Sequence, residues 1–318
     1  MTRSACLIFN PVAGQGDSEQ DLAAIKRILE PEITLDIQFT TEEFNVGELA
    51  RKAIDNNVEM IIASGGDGTV SAVAEALVGT DIPLGAIARG TANAFVNALN
   101  IPDTLEEACH VILDGGTKKV DAATCNGKPM ILLAGIGFEA ETVDDADRVT
   151  KNRFGALAYV LSGFKQLKDF EKFEATIETK EKIITVEVNA ITIANAAPPS
   201  SILAQGTAGV IYDDGLLDVT IITPKTRAGA IAVSYHLLQT ASDDEAAQRD
   251  DIGYLRTQWV KVTTEPPQKV VVDGEIIGKT PVEVKSLPRS LTVFAPVNEI
   301  VQAEEKLEHL EGIEIKEK

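Results

Sequence analysis

The densest chemistry in the chain lies in six consecutive residues, Ser64-Gly65-Gly66-Asp67-Gly68-Thr69, directly after the apolar run Met60-Ile61-Ile62-Ala63. Glycine lacks a Cβ, so the backbone can turn sharply there and a phosphate can approach it closely. Residues 70–78 then resume with helical spacing. A helix start presents unpaired N–H groups and a dipole that both favour an anion. A plain strand-to-helix turn needs one or two glycines. Three around a carboxylate, with a threonine hydroxyl beside them, point to phosphate binding.

A second loop of the same kind, Arg89-Gly90-Thr91-Ala92-Asn93, follows the apolar run 84–88 and precedes another helix. Gly90 permits a turn, and Thr91 and Asn93 offer short polar groups for a helix cap or a nucleotide. Asn10-Pro11-Val12-Ala13-Gly14-Gln15-Gly16 is a third loop after a strand-like run. Val272-Asp273-Gly274-Glu275 reads as a hairpin turn with two carboxylates. Asp-Gly there is commonly structural, while a fixed glutamate can accept a proton from a substrate hydroxyl. Tyr212-Asp213-Asp214-Gly215 is another acidic turn, either simply exposed or suited to a hard cation such as Mg²⁺.

The elements that must position these loops follow from periodicity. Runs at 5–9, 33–40, 58–63 and 84–88 read as strands, and 58–63 is apolar throughout, as in a strand covered on both faces. Helical spacing appears from a cap at Asp17 or Ser18 to about residue 29, at 46–54 and at 70–78. This alternation predicts a doubly wound, parallel α/β sheet to about residue 120, with ligands at the carboxyl ends of its strands. Thereafter short strands crowd together, at 119–124, 130–134, 173–178, 183–194, 215–222, 259–264, 270–273, 282–285 and 290–295. They predict an antiparallel β-sandwich or barrel, with helical inserts at about 154–168 and 226–240. The domains expected are 1–122, 123–297 and an acidic, helix-prone tail at 298–318 that packs back on the first domain.

Composition bounds the partners. The chain has 318 residues and a formal net charge of −20, which argues against general nucleic-acid binding and against broad attraction to anionic membranes. Cys6, Cys109 and Cys125 lack paired ligand spacing and fit buried, reduced thiols. No run approaches the roughly 20 apolar residues of a membrane span, and the N-terminal run is too short for a signal peptide. The location expected is cytoplasmic; a lipid substrate would be met transiently at the inner membrane face. No nucleic-acid partner is expected, and a homodimer is left open.

Other matches carry less. Gly135-Ile136-Gly137-Phe138-Glu139-Ala140 fits a dinucleotide fingerprint outside any βαβ unit. Gly274-Glu275-Ile276-Ile277-Gly278-Lys279-Thr280 is one residue short of a Walker A loop. His110, His236 and His309 show no metal spacing. Phe154, Leu157, Leu161, Phe164 and Leu167 form an apolar helix face, with Arg148, Lys151, Arg153, Lys165, Lys168 and Lys172 around it. That face is either core-directed or a lipid-entry element.

Taken in order, Asn10-Pro11, Gly65-Gly66-Asp67-Gly68-Thr69, Gly90-Thr91-Ala92-Asn93, Asp213-Asp214-Gly215 and Asp273-Gly274-Glu275 resemble the bacterial diacylglycerol kinase-like lipid kinases, over the chain to about residue 297. The resemblance implies a first domain like that of phosphofructokinase and NAD kinase, and a β-sandwich that holds the acceptor lipid. It implies that ATP is bound by Asn10, Pro11 and Gly14, by Thr41, by Gly65, Gly66, Asp67, Gly68, Thr69 and Ser71, and by Thr91 and Asn93. Asp67 would help place magnesium-bound phosphates and Glu275 would be the general base. Asp214, with the carbonyls of Ile211 and Leu216, would hold a structural Mg²⁺. Two positions depart from the family pattern: Ser71 stands where asparagine is common, and Ala94 where an aspartate is common. Either another acid replaces the missing carboxylate, or metal handling and rate differ. The alternatives to a magnesium-dependent lipid kinase are an NAD kinase and a nucleotide- or lipid-binding regulatory protein without turnover.

Overall fold

The computed structural model describes residues 3–14, 16–41, 45–137, 172–198, 209–224, 226, 229, 232–233, 236, 249–296 and 305–318. The chain divides into two compact units, Met1–Val120 with Arg289–Asn298, and Asp121–Pro288 with Glu299–Lys318. The first unit therefore includes a late segment that the sequence reading assigned to the second.

In the first unit, β1 (Arg3–Phe9) lies between β2 (Ile33–Phe39) and β3 (Ile61–Gly65), and β4 (Leu84–Ala88) flanks β3, all parallel. The continuously apolar runs become strands buried along their length in β3 and β4. Around them lie α1 (Ser18–Leu29), α2 (Val46–Asp55), α3 (Asp67–Leu77), the short α4 (Ala94–Ala98) and α5 (Leu105–Asp114). Helix α1 packs with α5, and α2 with α3. Leu7, Phe9, Ile25, Leu29, Ile33, Ile62, Ile87, Ile112 and Phe294 share one core. The helix starts are locally encoded. Asp17 accepts the Glu19 N–H at 3.0 Å, Asn45 accepts that of Gly47 at 2.8 Å, and Thr104 Oγ1 accepts that of Glu107 at 3.3 Å while its hydroxyl donates to the Glu107 carboxylate at 2.6 Å.

The second unit is built from two antiparallel sheets. One contains β8 (Phe173–Thr179), β9 (Lys182–Val188), β13 (Trp259–Glu265), the first residues of β16 (Val282–Phe294) and β17 (Glu314–Glu317). The other runs β12 (Ile252–Thr257), β11 (Leu217–Ile222), β10 (Ala190–Ala194), β7 (Leu133–Gly137), β14 (Lys269–Val272), β15 (Glu275–Lys279). Two short neighbours, β5 (Thr117–Cys125) and β6 (Lys128–Met130), pair through Ala123 and Met130. Alternate residues of β8, β9, β10 and β11 face a core that includes Ile177, Ile184, Val186, Ile191, Ile193, Leu217, Val219, Val260 and Val284, and β10 and β11 are buried along their whole length. Gly135, Ile136 and Gly137 lie inside the buried strand β7, so the dinucleotide-like match is no phosphate loop.

Several expectations are corrected. The strands expected at 282–285 and 290–295 are one, β16, and β12, β15 and β17 were not anticipated. Among its described residues, 305–318, the tail has no helix. Its described residues belong to the second unit, where Lys306 and Tyr254 exchange backbone hydrogen bonds at 2.8 and 3.0 Å and β17 pairs with β9. Glutamate and lysine favour helix locally, but Leu307 and Leu310 are buried in the sandwich core, and that burial decides the outcome. Residues 154–168 lie outside the described residues; of 226–240, Gly229, Ala232, Val233 and His236 are helical. Cys6, Cys109 and Cys125 are free and buried. Among the described residues no helix is long and apolar enough to cross a membrane.

The buried tail yields a test. Leu310→Ala should cost about 2–5 kcal/mol, as for other buried leucines, and lower the urea midpoint. An unchanged midpoint would contradict the tail's place in this core.

Candidate active site

Strand β3 ends at Gly65, Gly66 is the N-cap of α3, and Asp67 is its first residue. Gly66 makes no side-chain cap, but its carbonyl accepts the N–H groups of Thr69 and Val70 at 2.9 and 3.1 Å. A Cβ on Gly65 would stand 2.5–2.9 Å from the Thr69 side chain. A Cβ on Gly90 would stand 2.9 Å from the Gly66 Cα. Gly90 is thus required by close packing of one strand-end loop on the next, as β3 and β4 pair up to Gly65 and Ala88, and Gly65 by the Thr69 side chain at the start of α3.

The Asp67 carboxylate joins these loops. Its oxygens accept the Asn93 N–H at 3.1 Å and the Ala94 N–H at 2.5 Å. Asn93 is left-handed (φ 49, ψ 43) and does not cap α4 with its own side chain, so Asp67 serves as that cap from the neighbouring helix. Burial raises the Asp67 pKa, and the N–H groups oppose the rise. The residue is both the first of α3 and the anchor of α4.

The Asn10 loop is tied to the same place. Asn10 N–H donates to the Ser64 carbonyl at 2.8 Å, and its side-chain amide donates to Thr69 Oγ1 at 3.1 Å. The Val12 N–H closes a turn on Asn10 Oδ1 at 3.1 Å. Arg89, which sequence reasoning passed over, organises this edge from beneath. Its Nε donates to Asp21 Oδ2 at 2.8 Å, its Nη1 to the Asn10 carbonyl at 2.9 Å, and its guanidinium lies 4.4 Å from the centre of the Phe9 ring. Gly14 has φ +92 and comes close to the Arg89 carbonyl, where a Cβ would be 3.1 Å away. The predicted residues Asn10, Gly14, Gly65, Gly66, Asp67, Thr69 and Asn93 are brought into one bonded or touching set. Pro11 lies within the Asn10 turn, Gly68 and Thr91 are exposed on its loops, and Thr41 is exposed just beyond β2. Ser71 is buried in α3, only 8% exposed.

Three buried polar atoms of this edge have no hydrogen-bond partner: Ser64 Oγ, Arg89 Nη2 and Asn93 Oδ1. Such an atom costs about 1–3 kcal/mol, so three in one neighbourhood mark a place built for something polar.

In the second unit, Glu275 opens β15 and is exposed, opposite Val272 across a two-residue turn. Asp273 and Gly274, with φ 48 and 89, form that turn. The Asp273 carboxylate accepts the N–H groups of Ile131, Leu132 and Leu133 at 2.7, 3.0 and 2.9 Å, which clamps the hairpin to the start of β7. Asn195 holds the same stretch, donating to the carbonyls of Asp121 and Ile131 at 3.1 and 2.8 Å. Burial pushes the Asp273 carboxyl up to about 6 against the pull of these N–H groups, and the charge of Glu275 adds to the rise.

The Mg²⁺ site implied at Asp214, Ile211 and Leu216 does not fit this arrangement. Asp214 Oδ1 accepts the Leu216 N–H at 3.0 Å, and its other oxygen accepts from the Arg256 guanidinium. A divalent cation wants six or more oxygens, and here a fixed positive group already faces the carboxylate. Among the described residues no three His, Cys, Asp or Glu side chains are grouped to hold a metal.

Two tests follow from this geometry. Gly65→Ala should displace Thr69 and cost about 1–3 kcal/mol in urea unfolding, whereas Gly68→Ala, with nothing within 4 Å, should cost nothing. Equal midpoints for the two would contradict the packing argument. A carboxyl raised from 3.8 to about 6 stabilises the folded chain most at low pH, and the contribution is lost as pH rises through about 6. The stability lost in Asp273→Asn should therefore be greatest near pH 4 and shrink toward about pH 7, read by thermal melting. A loss that grows with pH would refute the assignment.

Comparison with known proteins agrees with the geometry. The diacylglycerol kinase catalytic domain matches residues 4–125, and the YegS C-terminal NAD kinase beta sandwich-like domain matches residues 133–295. An uncharacterized protein of Synechocystis is 51% identical over 307 residues, covering 93% of this chain and 71% of that protein. A diacylglycerol kinase of Bacillus subtilis is 28% identical over 309 residues, covering 95% of this chain and all of that one. The crystal structure of a putative diacylglycerol kinase from Bacillus anthracis has a TM-score of 0.79 at 27% identity, covering 92% of this chain and 95% of that one. Both units match the same kind of protein, and the chain belongs to the bacterial diacylglycerol kinase-like family of lipid kinases.

Proposed function

We propose that the chain transfers the γ-phosphoryl group of ATP to the hydroxyl of diacylglycerol or a closely related lipid. The observation that carries the nucleotide half is the edge formed by Asn10, Gly65–Thr69, Arg89 and Asn93. At Gly68 nothing lies within 4 Å of a Cβ position, so the backbone there is open to approach, and Ser64 Oγ, Arg89 Nη2 and Asn93 Oδ1 are unpartnered. Polyphosphate supplies the acceptors that the Ser64 hydroxyl and Arg89 Nη2 lack. Thr41, Thr91 and the Asn10–Gly14 turn would hold the rest of the nucleotide.

Each Asp67 oxygen already accepts one backbone N–H, so its first task is to fix the Thr91–Asn93 turn against the phosphate loop. Magnesium enters with ATP as part of the substrate, where it offsets the charge of the phosphates. Glu275 is the base assigned to the lipid hydroxyl. Its exposure at a hairpin tip leaves both oxygens open, and the Asp273 clamp holds the tip in place. Phosphoryl transfer asks mainly for positioning and charge stabilisation, which rigid loops and a fixed carboxylate supply. A lipid acceptor implies that the protein works at a membrane surface, visited transiently. NAD phosphorylation is the competing reading.

Assay with labelled ATP and diacylglycerol in mixed micelles, with NAD in a parallel reaction, separates these readings. Glu275→Gln should lower kcat by about 10²- to 10⁴-fold with little change in the KM for ATP. Asp67→Asn should raise that KM as well as lower kcat. A wild-type rate in Glu275→Gln would sink the base assignment, and product from NAD alone would sink the lipid reading.

A further inference from the structure

The acidic turn at Tyr212-Asp213-Asp214-Gly215 precedes β11, and its surroundings carry an unusual load of negative charge for a buried place. Asp121 and Asp218 are 2% and 1% exposed, and the Asp214 side chain is 16% exposed. Asp121 Oδ2 accepts the Gly215 N–H at 2.6 Å. Carboxylates buried together repel one another and lose hydration, so they require a positive partner. Arg256 on β12 supplies one to Asp214 and Asp218. It stands directly across the ladder from Asp218, donates from Nε to Asp218 Oδ1 at 3.0 Å, and donates from Nη2 to Asp214 Oδ2. Its side chain is only 13% exposed.

We propose that Arg256 is the built-in cation of this turn, doing in this chain the cross-linking that the family resemblance assigns to a structural magnesium. The argument rests on geometry within the second unit and is independent of the kinase assignment. A guanidinium offers several donors in a planar fork, is always charged, and loses less hydration on burial than an ammonium. Placed between Asp214 and Asp218, it ties the turn before β11 to the first rungs of the β11–β12 ladder. A divalent ion bound to Asp214 would have to displace that fork or lie against it. The consequence is that the second unit folds and holds this turn without divalent metal, and any magnesium requirement of the protein belongs to its nucleotide.

The test uses the purified full-length chain at constant ionic strength. Wild type should show the same melting temperature in EDTA and in millimolar MgCl₂, and elemental analysis should find no stoichiometric divalent metal. Arg256→Met should melt lower by about 5–15 °C, because it strands buried carboxylates. Arg256→Lys, which keeps the charge but loses the fork, should fall between them. Should Arg256→Met fail to fold, the wild-type measurements and Arg256→Lys still decide. A wild type that loses stability in EDTA, or that carries one tightly held divalent ion per chain, overturns the proposal. An Arg256→Met chain that melts like wild type overturns it as well.

Discussion

Two backbone N–H groups, those of Asn93 and Ala94, end on one carboxylate, Asp67, and the site in the first unit depends on that junction. Asp67 begins α3, so the bond fixes the start of α4 against the start of α3 and brings the loops after β3 and β4 into register. Gly90 follows as a requirement, because a side chain there would force those loops apart, and Gly65 is required by the Thr69 side chain of its own loop. The junction also explains why an alanine at position 94 is compatible with the fold. Position 94 takes part through its backbone, and its methyl group is fully buried. A carboxylate there would put a second negative charge beside Asp67 in a desolvated place, a cost that this chain does not carry.

Much of this was legible in the sequence. Apolar runs at 58–63 and 84–88 are unbroken because both faces of those strands are covered, and the cap at Asp17 is read out within a few residues. The glycine-rich loops announced themselves because glycine is needed where backbones touch. What stayed hidden was non-local. Arg89 acts through Asp21 and Asn10, far away in sequence, and nothing in its own neighbourhood reveals it. The role of Asp273 depends on N–H groups of residues 131–133, supplied by another strand. Strand β15 is mostly exposed and lacks alternation, and the tail's charged residues read as helix until the buried leucines at 307 and 310 are seen in place.

The chain's strong negative charge is managed carboxylate by carboxylate. Asp67 is held by two backbone donors, Asp273 by three, and Asp214 with Asp218 by a guanidinium. These are different solutions to one problem, that a buried anion must be given back what water supplied. Among the described residues, buried polar atoms without a hydrogen-bond partner remain in both units: on Ser64, Arg89 and Asn93 at the edge of the first, and on Asn195, Thr220 and Ser286 in the second.

The most direct test of the central claim is transfer of label from γ-labelled ATP, with magnesium, to a total lipid extract, followed by identification of the product by mass spectrometry. The account predicts label in a phosphorylated lipid that forms only when active protein is present, and loss of that label when Asp67 is replaced by asparagine. Label that appears solely as inorganic phosphate, or a labelled lipid that forms equally well without the Asp67 carboxylate, would contradict it.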